Sequence, residues 1–206
     1  MRAMSDNRSA KRGVIYRMMH RVESISQTNA LLWGVAWLII SSICGWYLCL
    51  APQDVVGYDV VGYMPLVHSL MLNCVVWIAM ASVVYVVMLI LNRRAKLVDS
   101  YARLLFAHWP VTLMLLPVWV VGKVKYAMFV NDFTTLLSVD ALTAVLMALY
   151  SVAIVLWMLY WSYTAFRRGV GRDDWSVWCS FIVGYYLASK FTAWVLSVVY
   201  QGVVVG

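Results

Sequence analysis

The chain has 206 residues, of which 64% are hydrophobic and only 12% are charged, and its mean hydropathy is +0.81. Soluble domains are about half apolar and a quarter charged, and a chain of this length has too little interior to bury the excess. The composition therefore excludes a secreted disulfide scaffold, a disordered tail and a cytosolic enzyme of ordinary composition, and it predicts an all-α, polytopic integral membrane protein.

Residues 1–29 form a polar, basic tail that precedes the first long apolar run. From residue 14 onward, apolar side chains recur at helical spacing, and Arg17 and Glu23 lie on the opposite side of the projected helix. This pattern predicts an amphipathic helix over about residues 14–28 that lies on the cytoplasmic membrane surface. The alternative is a solvated extension of the first spanning helix.

Five apolar runs follow, each long enough to cross about 30 Å of hydrocarbon. They form one membrane domain over residues 30–200. The predicted spans cover about residues 30–50, 66–91, 101–121, 136–166 and 177–199.

The first loop between spans contains a short internal repeat. The sequence Asp54–Tyr58 is repeated at once as Asp59–Tyr63, and Pro52 and Pro65 bracket the two copies. Gly-Tyr pairs favour turns that place tyrosine at the membrane interface, so we expect an ordered interfacial loop. A ligand-binding loop is the alternative.

Lys and Arg are concentrated in every second segment between these spans. Thirteen of them lie in the tail, in the loop after the second span extended to Arg103 at the start of the third, and in the loop after the fourth. The opposite side holds only Lys123 and Lys125, and Lys190 lies within a span. Basic residues concentrate in short cytoplasmic segments, so the N-terminus is predicted to be cytoplasmic and the C-terminus outside. The residues behind the net charge of +7 are therefore expected to fix the topology and to contact anionic lipid head groups, and not to bind nucleic acid.

Ionisable side chains inside spans are costly and mark candidate sites, and we select three of them: Asp140, Lys190 and His108. Asp140 lies about one turn inside the fourth span, and Lys190 lies near the middle of the fifth. They form either a proton or ion relay, or a structural feature: an ion pair or a snorkelling lysine. His108, two residues before Pro110, either lines a polar cavity at a kink or is a hydrogen-bonded packing residue.

The common catalytic and nucleotide-binding motifs do not occur in the sequence: it has no G-x-S-x-G, H-E-x-x-H or Walker loop. The four cysteines form no C-x-x-C pair, and no two of the three histidines are close in sequence. Such spacing implies neither a disulfide framework nor a zinc site. We therefore expect a protein that is not an enzyme and that holds no cofactor.

Two stretches resemble proteins of the Yip-domain family. Arg93–Asp99 followed by Leu105–Pro110 is similar to the family's entry into its third span, and Leu156–Trp161 before Phe166 is similar to its fourth span and exit. The likeness covers about residues 30–200. It implies a five-span, non-enzymatic membrane protein; eukaryotic members are adaptors in vesicle traffic that engage Rab-type GTPases. The short basic tail favours a prokaryotic relative, in the bacterial inner membrane.

Two functions follow as hypotheses. The first is a membrane adaptor or organising protein whose basic cytoplasmic face contacts anionic lipid or an acidic protein partner, with homo-oligomerisation left open. The second is a small transporter or channel that uses Asp140, Lys190 and His108. The residues of the predicted face are Arg17, Arg21, Arg93, Arg94, Lys96, Arg167, Arg168 and Arg172, with Asp99, Asp173 and Asp174 as candidate specificity contacts.

Overall fold

The computed structural model of the protein describes residues 21–204, with all their side chains except those of 21, 23 and 201–204. It is mostly helical, at 83%. Five helical segments are long and apolar enough to cross a membrane, and we call them spans 1 to 5: Gln27–Leu48, Leu66–Leu91, Leu97–Asn131, Ala141–Val170 and Trp175–Tyr200. This confirms the prediction of a helical protein with five apolar segments of membrane-spanning length.

The elements follow one another with short connections. In chain order they are α1 Arg21–Ser24, α2 Gln27–Leu48, β1 Leu50–Pro52, β2 Tyr58–Val60, α3 Leu66–Leu91, α4 Leu97–Ala107, the 3₁₀ helix η1 Trp109–Leu115, α5 Leu116–Asn131, α6 Phe133–Val139, α7 Ala141–Val170 and α8 Trp175–Val204.

The segment before span 1 is only partly within the described residues. Of the amphipathic helix predicted over about residues 14–28, positions 14–20 lie outside them, and α1 covers Arg21–Ser24. Ser26 then begins span 1, because its hydroxyl accepts a hydrogen bond from the amide of Asn29 at 3.3 Å. The described helix therefore ends before residue 26 and does not continue into span 1.

Span 3 is interrupted in its middle. The α-helix ends at Ala107, and η1 and α5 begin with Pro110 and Pro117 near their first positions. Proline has no amide hydrogen to donate to the preceding turn, so the regular helical ladder cannot run through. A second break follows at Gly122, whose φ of 84° is open to glycine but costly for other residues.

The loop between spans 1 and 2 is a β-hairpin that enters the bundle. Its strands are antiparallel, with Pro52 opposite Tyr58, and the carboxylate of Asp54 accepts two backbone amides of the turn at 2.7 Å. Val55 at the turn is buried together with Tyr58, whereas Tyr63 is exposed. The hairpin packs its turn among the spans, and only Gly62 and Tyr63, at the end of the repeat, are exposed. That the loop lies at the membrane interface stays a prediction.

The bundle has two ends with different character. The connections between spans 2 and 3 and between spans 4 and 5 lie at one end, which we call the basic end. The hairpin lies at the other end, where Asn131 donates to Asp59 and Tyr200 donates to the carbonyl of Pro52. We call this the hairpin end.

Small residues allow the spans to approach closely. A Cβ at Gly34 would lie 2.6 Å from Leu105, one at Gly45 would lie 2.9 Å from the carbonyl oxygen of Leu50, and one at Gly184 would lie 3.1 Å from Val87. Such close contacts are typical of helix packing in membranes. The outward faces carry exposed apolar side chains from every span, as expected for surfaces that contact lipid: Leu32, Val67, Ile90, Val120, Leu142 and Ile182.

We predict that Gly45→Ala destabilises the protein by about 1–3 kcal/mol, because its methyl group would meet a backbone carbonyl that cannot rotate away. Thermal unfolding in detergent measures the effect. Gly62→Ala is the matched control, since a Cβ there has nothing within 4 Å. Equal stability of the two variants would contradict the packing described here.

Candidate functional site

Two loops meet at the basic end. The side-chain amide of Asn92, after span 2, donates to the carbonyl of Gly169, near the end of span 4, at 3.2 Å. A Cβ at Gly169 would lie 2.7 Å from the sulfur of Met88, so these segments are in close contact. The two loops therefore form one surface, which we call the basic face: Arg93, Arg94, Lys96, Arg167, Arg168 and Arg172.

Most of the basic face is open to solvent. Arg93, Arg94, Lys96, Arg168 and Arg172 are all exposed. An open groove of about 470 Å³ runs past the last three arginines of the face, Gly171 and Asp173. The structure thus places the two loop segments of the predicted face side by side. Arg17 lies outside the described residues, and so does the side chain of Arg21.

The carboxylates nearest to the basic face are engaged within the chain. Asp173 accepts from Arg167 at 2.8 Å and from the hydroxyl of Tyr163 at 3.0 Å. Asp174 caps α8 by accepting from Ser176 and from the amide of Val177, and these bonds hold its pKa below the usual value. Both residues therefore have partners within the chain, and their predicted role as specificity contacts stays a prediction.

At the start of span 3, the buried Arg103 pairs with the partly exposed Asp99. Arg103 is 2% exposed; its Nε lies 3.0 Å from Asp99, and its Nη1 donates to the carbonyl of Val22 at 2.7 Å. A buried cation requires such partners, and removing one partner of such a pair is strongly destabilising. Asp99 thus holds the residue that ties α1 to span 3, and its predicted role as a partner contact stays a prediction.

Asp140 lies at the hairpin end, outside span 4. It is the N-cap of α7, where it accepts from the amide of Thr143 at 3.1 Å, and it forms an ion pair with Lys125 of α5. The prediction that Asp140 lies one turn inside the span is wrong, because the apolar residues before it form the separate short helix α6. Hydrogen bonds from Lys125 and Thr143 lower the pKa of Asp140 to about 2.

Lys190 lies elsewhere. It is exposed midway along α8, and its Nζ lies 5.7 Å from the ring centroid of Tyr186. The ion-pair partner that the structure gives Asp140 is Lys125, not Lys190. The two residues that we considered as a relay therefore occupy separate places.

His108 lines a polar cavity at the break in span 3, beside the hairpin turn. Asp54, Tyr58, Asn73 and Thr112 also line it. Its volume of about 30 Å³ is room for one water molecule. This fits the prediction of a polar cavity next to Pro110 more closely than the alternative of a hydrogen-bonded packing histidine, because in the described part of the chain the Nδ1 of His108 is buried without a partner.

Polar residues from several elements meet at this cavity. Tyr58 donates to the side chain of Asn73 at 3.3 Å, and Asn73 donates to the carbonyl of Ser69, whose hydroxyl donates to the carbonyl of Ser42. Sequence reasoning missed this chain of bonds. Asn73, within an apolar run, was the one available signal, since a polar side chain in a span needs a partner.

No family model, curated protein or solved structure matches this chain. The resemblance to Yip-domain proteins therefore stays a prediction, and the roles of the residues described above rest on their geometry.

We predict that Asp140 contributes stability that is lost only in strong acid. Because its folded pKa of about 2 lies below the usual 3.9, the contribution is complete above about pH 5 and disappears as the pH falls from about 4 through 2. The difference in Tm between the wild type and Asp140→Asn should follow this course. Lys125→Met removes the largest cause of the low pKa and should move the loss to higher pH; an unchanged pH course would contradict the pairing.

Proposed function

We propose that the protein is a non-enzymatic membrane adaptor that binds an acidic partner, a protein surface or anionic lipid, through the basic face. The observation that carries the proposal is the hydrogen bond between Asn92 and Gly169, which joins two loops that are 77 positions apart in sequence. Cations from both loops thereby lie on one surface, which presents a larger positive patch than either loop alone.

The charge of this face is directed outward. In the described part of the chain, Arg93, Arg94, Lys96 and Arg172 make no ion pair, while the neighbouring Asp99, Asp173 and Asp174 are used within the chain. Exposed cations without internal partners raise the association rate with acidic surfaces, in a manner that salt weakens. Binding that weakens with added salt is therefore part of the proposal.

The orientation belongs to the same proposal. Both loops lie at the basic end, and the concentration of Lys and Arg there supports a cytoplasmic position under the positive-inside rule. The N-terminus would then be cytoplasmic, the C-terminus outside, and the membrane the inner membrane of a bacterium. The Yip-like stretches support the same arrangement and an adaptor role.

The transport hypothesis receives less support from the geometry. Of its three residues, only His108 lines the cavity, whereas Asp140 caps a helix at the hairpin end and Lys190 lies on an outer face. The cavity has room for about one water molecule, which is short of a path across a bilayer. We therefore retain the adaptor as the proposed function.

We predict that reversing charge in either loop weakens the same interaction. The triple variant Arg93→Glu, Arg94→Glu, Lys96→Glu and the single variant Arg172→Glu should each lower recovery of a partner at least about tenfold, because like charges then face each other. Tagged protein purified from native membranes in mild detergent, with quantitative mass spectrometry of proteins and lipids, measures this.

Lys123→Glu is the matched control, since it reverses an exposed cation at the opposite end. Asn92→Ala leaves the charge unchanged but removes the bond between the loops, and it should give an intermediate loss. A partner lost from only one loop variant would contradict a joint surface. Loss of membrane insertion in the triple variant would show that these residues act in topology alone.

A further inference from the structure

One outer face of α8 carries an exposed lysine, Lys190, midway along the helix. The helix packs mainly on span 2 and makes few contacts with span 4, which leaves its opposite side exposed along its length. The exposed positions recur every three or four residues, the spacing by which one helix presents a seam to another. They form the α8 face: Cys179, Val183, Tyr186, Lys190, Trp194 and Ser197.

Lys190 lies at the centre of this face and far from both ends of the span. It is 15 residues from Trp175 and 10 from Tyr200, or about 22 Å and 15 Å along the helix axis. A lysine side chain can relieve such burial in lipid by reaching the nearer head groups. The Nζ of Lys190 lies over the ring of Tyr186, a contact that supplies no negative charge to the amine.

This chain does not supply an anion to Lys190 from among its described carboxylates. Asp140 and Asp99 are held by Lys125 and Arg103. Asp54, the carboxylate that reaches the interior of the bundle, lines the cavity beside His108 and accepts two backbone amides. The exposed carboxylates among the described residues, Asp132, Asp173 and Asp174, lie in the connections at the ends of the bundle. A second copy of the chain is therefore a poor source of the missing charge at the middle of a span.

We propose that the α8 face binds a transmembrane helix of a different membrane protein, and that an Asp or Glu near the middle of that helix pairs with Lys190. An exposed cation in the hydrocarbon is costly, and ionisable residues in spans pair with one another. Cys179 and Ser197 are small, so they permit close approach of a second helix on either side of the lysine.

The surface beside Lys190 suits such a helix. Between spans 4 and 5 lies an apolar groove of about 550 Å³, lined among others by Leu156, Ile182 and Tyr186. Tyr186 belongs both to this groove and to the contact with Lys190. Large apolar side chains of the partner can enter the groove while its carboxylate reaches the amine. This inference goes beyond the basic face and does not depend on it.

The test uses a designed peptide in place of the unidentified partner. The full-length protein, with its four native cysteines replaced by Ser and a single labelled cysteine introduced as Gly62→Cys, where a side chain has nothing within 4 Å, is reconstituted in phosphatidylcholine nanodiscs with a labelled Leu/Ala transmembrane peptide. Energy transfer reports association. A peptide with one central Asp should bind about tenfold more tightly than the same peptide with Leu, since polar contacts between spanning helices have this order of strength.

Variants of the protein show whether Lys190 causes the preference for the Asp peptide. Lys190→Met should abolish the preference for Asp, Lys190→Arg should retain it, and Lys123→Met should leave it unchanged as the matched control. Equal binding of both peptides, or a preference that survives Lys190→Met, would overturn the proposal. Two further results would overturn it. One is self-association of the chain that depends on Lys190 and that the Asp peptide does not compete away. The other is a preference for the Asp peptide that vanishes whenever anionic lipid is added.

Discussion

The interrupted backbone of span 3 needs hydrogen-bond partners and packing contacts from the neighbouring elements of the bundle. In hydrocarbon, every polar backbone group must find its partner inside the protein, and Pro110 and Pro117 interrupt the regular ladder in mid-span. The neighbouring elements cover the break. Tyr150 of span 4 donates to the carbonyl of Leu113 at 2.9 Å, and Trp37 of span 1 stacks on Trp109 at 4.7 Å. The hairpin turn closes the remaining side.

The same requirement governs charge. Arg103 is buried but paired, and Asp140 is both a helix cap and an ion-pair partner at the end of the bundle. Besides Lys123, two places in the described part of the chain carry exposed cations that make no ion pair: the basic face and the α8 face around Lys190. Because unpaired charge costs free energy in lipid and attracts partners at a surface, these two places are where we locate interactions with other molecules.

Hydropathy located the spans because it is a local property: the second span was predicted at residues 66–91, as the structure has it. The kink near His108 was also foreseeable from Pro110. The start of span 4 was not, because Leu136 and its neighbours extend the apolar run although Asp140 begins a new helix. The burial of Val55 at the hairpin turn was missed because a turn sequence is expected at the surface, and its position depends on contacts with residues distant in sequence.

Site-directed labelling with a membrane-impermeant thiol reagent tests the central claim, that two loops form one face on one side of the membrane. The three cysteine substitutions, Arg94→Cys, Arg172→Cys and Lys123→Cys, are made singly in a chain whose four native cysteines are Ser. Our account predicts that the first two react only after the cells are permeabilised, whereas the third reacts in intact cells. Reaction of Arg94→Cys and Arg172→Cys from opposite sides of the membrane would contradict it.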